Sequence, residues 1–183
     1  MSETCSALTL RAQLARQLLD EAPLEARSLS WAQLAGAPDW LALDSAALQQ
    51  LMLRCGSVLA APALRLWIAG PARERARAVL GVAWWRQLRA QPDWPSLQTG
   101  PGTGLPAALD GWPGEVAPEA LAQQFREAGA AVLLASLPHG ALRHAAARRL
   151  GPVAAWVMPQ PTAGAVLQAT LQLQQRLGEE DGA

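Results

Sequence analysis

The residues that could carry chemistry are few. The chain holds two histidines, His139 and His144. Five residues apart, they do not share a helix face as the i, i+4 pair of a zinc-binding helix does. No cysteine or carboxylate sits at a spacing that would complete a tetrahedral zinc set around them. Both read as surface or capping groups. Ser57 follows Gly56 but lacks the second glycine of a nucleophile elbow, and it falls inside a helical pattern. The run Gly100-Pro101-Gly102-Thr103-Gly104 invites a phosphate-loop reading. That reading fails on mechanism, because no strand precedes the run, no helix start follows it, and the chain has no lysine to reach a phosphate. The carboxylates are scattered through helix first turns and loops without a facing pair. These observations predict a protein that is not an enzyme and uses neither cofactor nor metal.

The sharpest cluster is Trp84-Trp85-Arg86, with Trp67 upstream and Arg89 downstream. Neighbouring residues on a helix point about 100° apart, so Trp84 and Trp85 cannot both face the middle of one narrow stripe. One is expected in the core and the other at its edge. A partly exposed Trp beside Arg has the composition of a protein-interface hot spot. It equally fits a core edge with an arginine stacked on one ring. On the first reading the interface comprises Trp67, Trp84, Trp85, Arg86 and Arg89.

Helices must position these residues. Leu and Ala dominate the apolar load and favour helix, whereas strand formers are scarce, with no Tyr and a single Phe, Phe125. Leu8 to Glu21 reads as a first helix ended by Pro23. Gly36 and Pro38 break Ser28 to Leu43 into short turns, with Trp31 and Trp40 expected to pack inward. Asp44 is placed to cap a long helix from Ser45 to Ala61, whose Leu48, Leu51, Met52, Cys55, Val58 and Leu59 recur at helical spacing. Pro62 can open the next helix, and Gly70-Pro71 restarts the chain. From Ala72 to Ala90, Ala72, Ala76, Val79, Leu80 and Ala83 form the apolar stripe. Arg73, Glu74, Arg75 and Arg77 form the wet one, and Gly81 offers a break.

The stretch 91–117 is rich in Pro and Gly and reads as a loop or linker. It suggests an N-terminal helical lobe over 1–90 and a C-terminal one over 118–183, or a single domain. Pro118 starts a helix to Ser136 with Glu119 in its first turn. Ala141 to Leu150 is a shorter helix with Arg143, Arg148 and Arg149 exposed. Thr162 can cap a last helix to Leu177, followed by a frayed acidic tail, Glu179 to Asp181. The fold expected is all-α, an irregular helical bundle. A competing α/β reading puts strands at 130–137 and 153–158, flanking the Ala141 to Leu150 helix. It would suit a small enzyme or ligand-binding protein with a site near 136–144.

Composition bounds the function class. The 183 residues are 51% apolar and 16% charged, too apolar and too weakly charged for disorder. All fifteen basic residues are arginine, and they balance fifteen acidic ones to a formal net charge of zero. That balance argues against a nucleic-acid binder driven by bulk charge. Two cysteines, Cys5 and Cys55, are too few for a disulfide framework and fit a reducing cytosol. Glu3, and then Arg11 and Arg16, interrupt any signal-peptide pattern. The uncharged stretch from Gly151 to Arg176 carries Pro152, Pro159 and Pro161 and fails as a membrane span. A cytoplasmic, soluble protein is expected, reaching a membrane only through a protein partner.

The segment Leu64-Arg65-Leu66-Trp67-Ile68-Ala69-Gly70 is followed by an arginine-bearing helix over Arg73 to Gly81, a Leu-Gly break and another helix. Later, Gly129 to Pro138 and Leu142 to Leu150 lead into a proline-containing segment. In these features the chain resembles the SctK-like sorting-platform adaptors of type III secretion systems, over about half its length. The resemblance implies a cytosolic helical protein without a cofactor. Such a protein links the inner-membrane ring of the secretion apparatus to the pods and ATPase regulator beneath it.

Overall fold

In the computed structural model the described residues are 29–65, 70–91, 116–138, 140–151 and 158–181, together with 9, 12, 14–16 and 20. Among them the chain is helical and contains no strand. The elements in order are α1 (Trp31–Ala35), a 3-10 turn (Asp39–Ala42), α2 (Ser45–Leu59), α3 (Ala61–Arg65), α4 (Gly70–Leu80), α5 (Val82–Ala90), α6 (Pro118–Ser136), α7 (Ala141–Leu150) and α8 (Gln160–Asp181). The all-α expectation holds. The strand expected at 130–137 is instead the last two turns of α6 running into Leu137. Its nearly continuous apolar character reflects burial on most sides of the helix, since Ala130, Ala131, Val132, Leu133 and Ala135 are all buried. Of the strand expected at 153–158, all but Met158 lies outside the described residues.

Local signals account for the helix ends. Ser30 and Gln33 form a capping box at the start of α1. Asp44 Oδ1 accepts from the Ala47 N–H at 2.8 Å and caps α2. Gly81, at φ +81°, divides the 72–90 stretch into α4 and α5. That dihedral lies outside the right-handed helical region and is open to glycine because it has no Cβ, so the helix breaks there. Two expectations need correction. Trp31 does not pack inward, being 72% exposed, whereas Trp40 is buried. The last helix starts at Gln160, before Thr162, and continues through the acidic tail to Asp181. Gln160 Nε2 also reaches the Ser136 carbonyl at 3.3 Å, satisfying an acceptor at the end of α6.

The chain divides into two compact units, each drawn from separate stretches of sequence: Met1–Gln49 with Leu137–Val153, and Gln50–Ser136 with Ala154–Ala183. In the first unit, α7 sends Arg149 back to the 3-10 turn, where its guanidinium donates to the Leu41 and Leu43 carbonyls. In the second, α6 packs against α8 and α4, and α5 packs against α8, α4 and α3. Helices on either side of 91–117 therefore share one core. That stretch does not part a 1–90 lobe from a 118–183 lobe in the packing. All of it except Gln91, Val116 and Ala117 lies outside the described residues.

The core of the second unit contains one close backbone crossing. A Cβ built on Gly56 of α2 would collide with the Phe125 carbonyl and lie 2.9 Å from Phe125 Cα. A Cβ on Gly129 of α6 would meet the Met52 carbonyl and lie 2.8 Å from Met52 Cα. Residues 52 and 56, and 125 and 129, are each one helical turn apart, so the two helices cross antiparallel with glycine facing backbone at both contacts. Phe125 is fully buried beside this crossing.

Candidate protein interface

The five residues of the expected interface are placed unequally. Trp67 lies outside the described residues. Trp84 and Trp85 are both buried, at 3% and 6% exposure, so neither presents a free ring face. Arg86 and Arg89 are exposed.

Trp84 is held by α2. Its indole Nε1 donates to Ser57 Oγ at 2.9 Å, and that hydroxyl donates to the Arg54 carbonyl at 2.7 Å. The Arg54 guanidinium lies over the Trp84 ring, 5.0 Å from its centroid. Burial lowers the Arg54 pKa from its ordinary value, because the charged form loses hydration. Trp85 instead borders the surface. Arg89 lies over its ring at 5.9 Å, the stacked-arginine arrangement that the core-edge reading describes.

An open groove of about 520 Å³ lies along the α4–α5 hairpin. Its described lining is Arg73 and Arg77 from α4, and Val82, Trp85, Arg86, Arg89 and Ala90 from α5. Helical periodicity explains the grouping. Arg73 and Arg77 are i, i+4 neighbours, and Val82, Trp85, Arg86 and Arg89 follow the i, i+3, i+4, i+7 stripe. Gly81 turns the chain so that both stripes border one groove. All four arginines are exposed, and no carboxylate lies among the described lining residues. Val82 is 46% exposed, an apolar patch between the charges.

The sequence reading placed Arg73 and Arg77 only on a wet face and did not join them to Arg86 and Arg89. The usable signal was two arginine pairs at helical spacing on either side of a breaking glycine. Other chemistry-bearing candidates stay apart from this groove. His144 is exposed on α7, and His139, Cys5 and the Gly100 to Gly104 run lie outside the described residues. Cys55 is fully buried and its thiol is pushed up to about 12 by loss of solvation, with a side-chain hydrogen bond between Cys55 and Thr170 opposing that shift. Among the described residues no three His, Cys, Asp or Glu side chains gather into a metal site, and no helix is long and apolar enough to cross a membrane.

Comparison with known protein families, with curated proteins and with solved structures finds no match to this chain.

Proposed function

We propose that this protein is a non-enzymatic adaptor of a bacterial type III secretion apparatus, linking the inner-membrane ring to the cytosolic sorting platform. In this reading it serves protein transport by binding membrane-ring and pod components. It works in the cytoplasm, at the inner membrane only through a protein partner, with no direct insertion and no nucleic-acid ligand.

The observation that supports it is the α4–α5 hairpin. The arginine-bearing helix, the Leu80-Gly81 break and the following helix are the features that carry the resemblance to SctK-like adaptors. They are also the segment that builds the arginine groove. An exposed, charged groove beside an apolar patch suits recognition of another protein. The helical course of 130–136 removes one of the two strands on which an α/β enzyme near 136–144 would be built.

The test is affinity purification of the tagged full-length chain from its native host, with co-purifying proteins identified by mass spectrometry. Recovery of ring, pod or ATPase-regulator components is the expected result. Their absence under conditions that keep such complexes intact overturns the assignment.

A further inference from the structure

We infer that the groove between α4 and α5 binds an acidic segment of a partner protein, one that carries an apolar side chain among its carboxylates. The inference rests on the adaptor reading for its biological setting and on the groove alone for its chemistry.

Four guanidinium groups border one groove with no carboxylate among its described lining residues. Like charges at i, i+4 on a helix repel and disfavour it. Arg73 and Arg77 are such a pair, and Arg86 and Arg89 lie i, i+3 apart. A ligand carrying negative charge relieves that repulsion in the complex. The lining determines which kind of anion fits. Guanidinium forks match carboxylates in bidentate geometry. Arg89 is already stacked toward Trp85, so less side-chain freedom is lost when it engages. Val82 and the Trp85 edge form an apolar floor that a phosphate backbone has no group to cover, whereas a Leu or Phe between acidic residues would cover it. The groove, about 520 Å³, has room for a few side chains of such a segment. The chain's zero net charge also disfavours a partner that binds through long-range positive potential.

The probe is a fluorescein-labelled peptide alternating Glu, Asp and Leu, compared with its Gln, Asn and Leu counterpart by fluorescence anisotropy on the full-length chain. Two variants reverse the groove charge from different helices, Arg73→Glu/Arg77→Glu and Arg86→Glu/Arg89→Glu. A third, Arg16→Glu/Arg148→Glu, makes the same change in total charge at exposed arginines outside the groove. The acidic peptide is expected to bind, the amide peptide not. Each groove variant is expected to weaken binding about tenfold or more while the control variant leaves it unchanged. Binding should also fall as salt rises through the range where the Debye length drops below about 10 Å. Circular dichroism confirms that each variant keeps its helix content.

Equal binding by groove and control variants overturns the inference. So does tighter groove-dependent binding of oligothymidylate or phosphatidylserine vesicles, which would assign the groove to phosphate. The two readings fail separately. Groove-dependent peptide binding without apparatus components in the purification leaves the groove assignment standing and removes the secretion role. Recovery of those components equally by wild type and groove variants does the reverse.

Discussion

Trp84 and Ser57 are joined by a 2.9 Å hydrogen bond between the indole N–H and the serine hydroxyl, across 27 residues of chain. The hydroxyl is fully buried because both its functions are used. It accepts from Trp84 and donates to the Arg54 carbonyl, while the Arg54 side chain covers the ring. A serine in the last turn of an apolar helix is thus the point at which α5 is registered on α2.

Ser57→Ala is expected to lower stability by about 1–2 kcal/mol, since it leaves a buried indole N–H without an acceptor. Trp84→Phe with Ser57→Ala should cost less than the sum of the two single changes, because the pair leaves no orphaned N–H. Urea denaturation followed by circular dichroism measures all three, and strict additivity would show that the bond contributes nothing.

Glycine-to-alanine changes should divide by position. Gly56→Ala and Gly129→Ala each put a methyl group onto backbone of the crossing helix and should cost about 3 kcal/mol or more. Gly164→Ala and Gly178→Ala in α8 meet open space and should stabilise by about 0.5–1 kcal/mol each. Thermal melts of the four single variants check this. A loss at Gly164 or Gly178, or tolerance at Gly56, would contradict the packing described.

Cys55 sets a limit at high pH. Its buried thiol is raised from 9.0 to about 12, so between those values the unfolded chain gives up a proton that the folded chain keeps. Stability should therefore be unaffected by this group below about pH 9 and decline as pH rises from 9 toward 12. Comparing wild type with Cys55→Ala across that window isolates the contribution, with a shallower decline expected for the variant. Native-state alkylation by iodoacetamide at Cys55 should be slow over the same range until the protein unfolds.

Arg149 holds the first unit's 3-10 turn by donating to two carbonyls at once. Arg149→Ala should cost about 1.5–3 kcal/mol, and Arg149→Lys should recover little of it because an ammonium cannot present two parallel donors. Hydrogen exchange of the Trp40 to Leu43 amides provides the local readout, with faster exchange expected in both variants.

Element type and most boundaries were legible from residue pattern. Leu and Ala at helical spacing, Asp44 ahead of α2, Gly81 between α4 and α5, and Pro118 at the start of α6 are local signals with local causes, so sequence alone was enough to read them. The alternative strand at 130–137 arose because a helix buried on nearly every side loses the polar face that reveals its period. The exposure of Trp31 and the helical course of the acidic tail are not legible in the sequence for a related reason. A large apolar residue states a preference for burial, and only its neighbours decide whether a core reaches it. The helical tail likewise depends on where α8 extends.

What the sequence by itself determined was the set of helices, the breaks between them and the scarcity of catalytic groups. Tertiary structure decided which residues meet. Only folding put Gly56 on Phe125 and Gly129 on Met52, turned both Trp84 and Trp85 inward, and brought Arg73 and Arg77 beside Arg86 and Arg89. Helical periodicity specifies one face of one helix, but the partner of that face depends on close packing among segments distant in sequence.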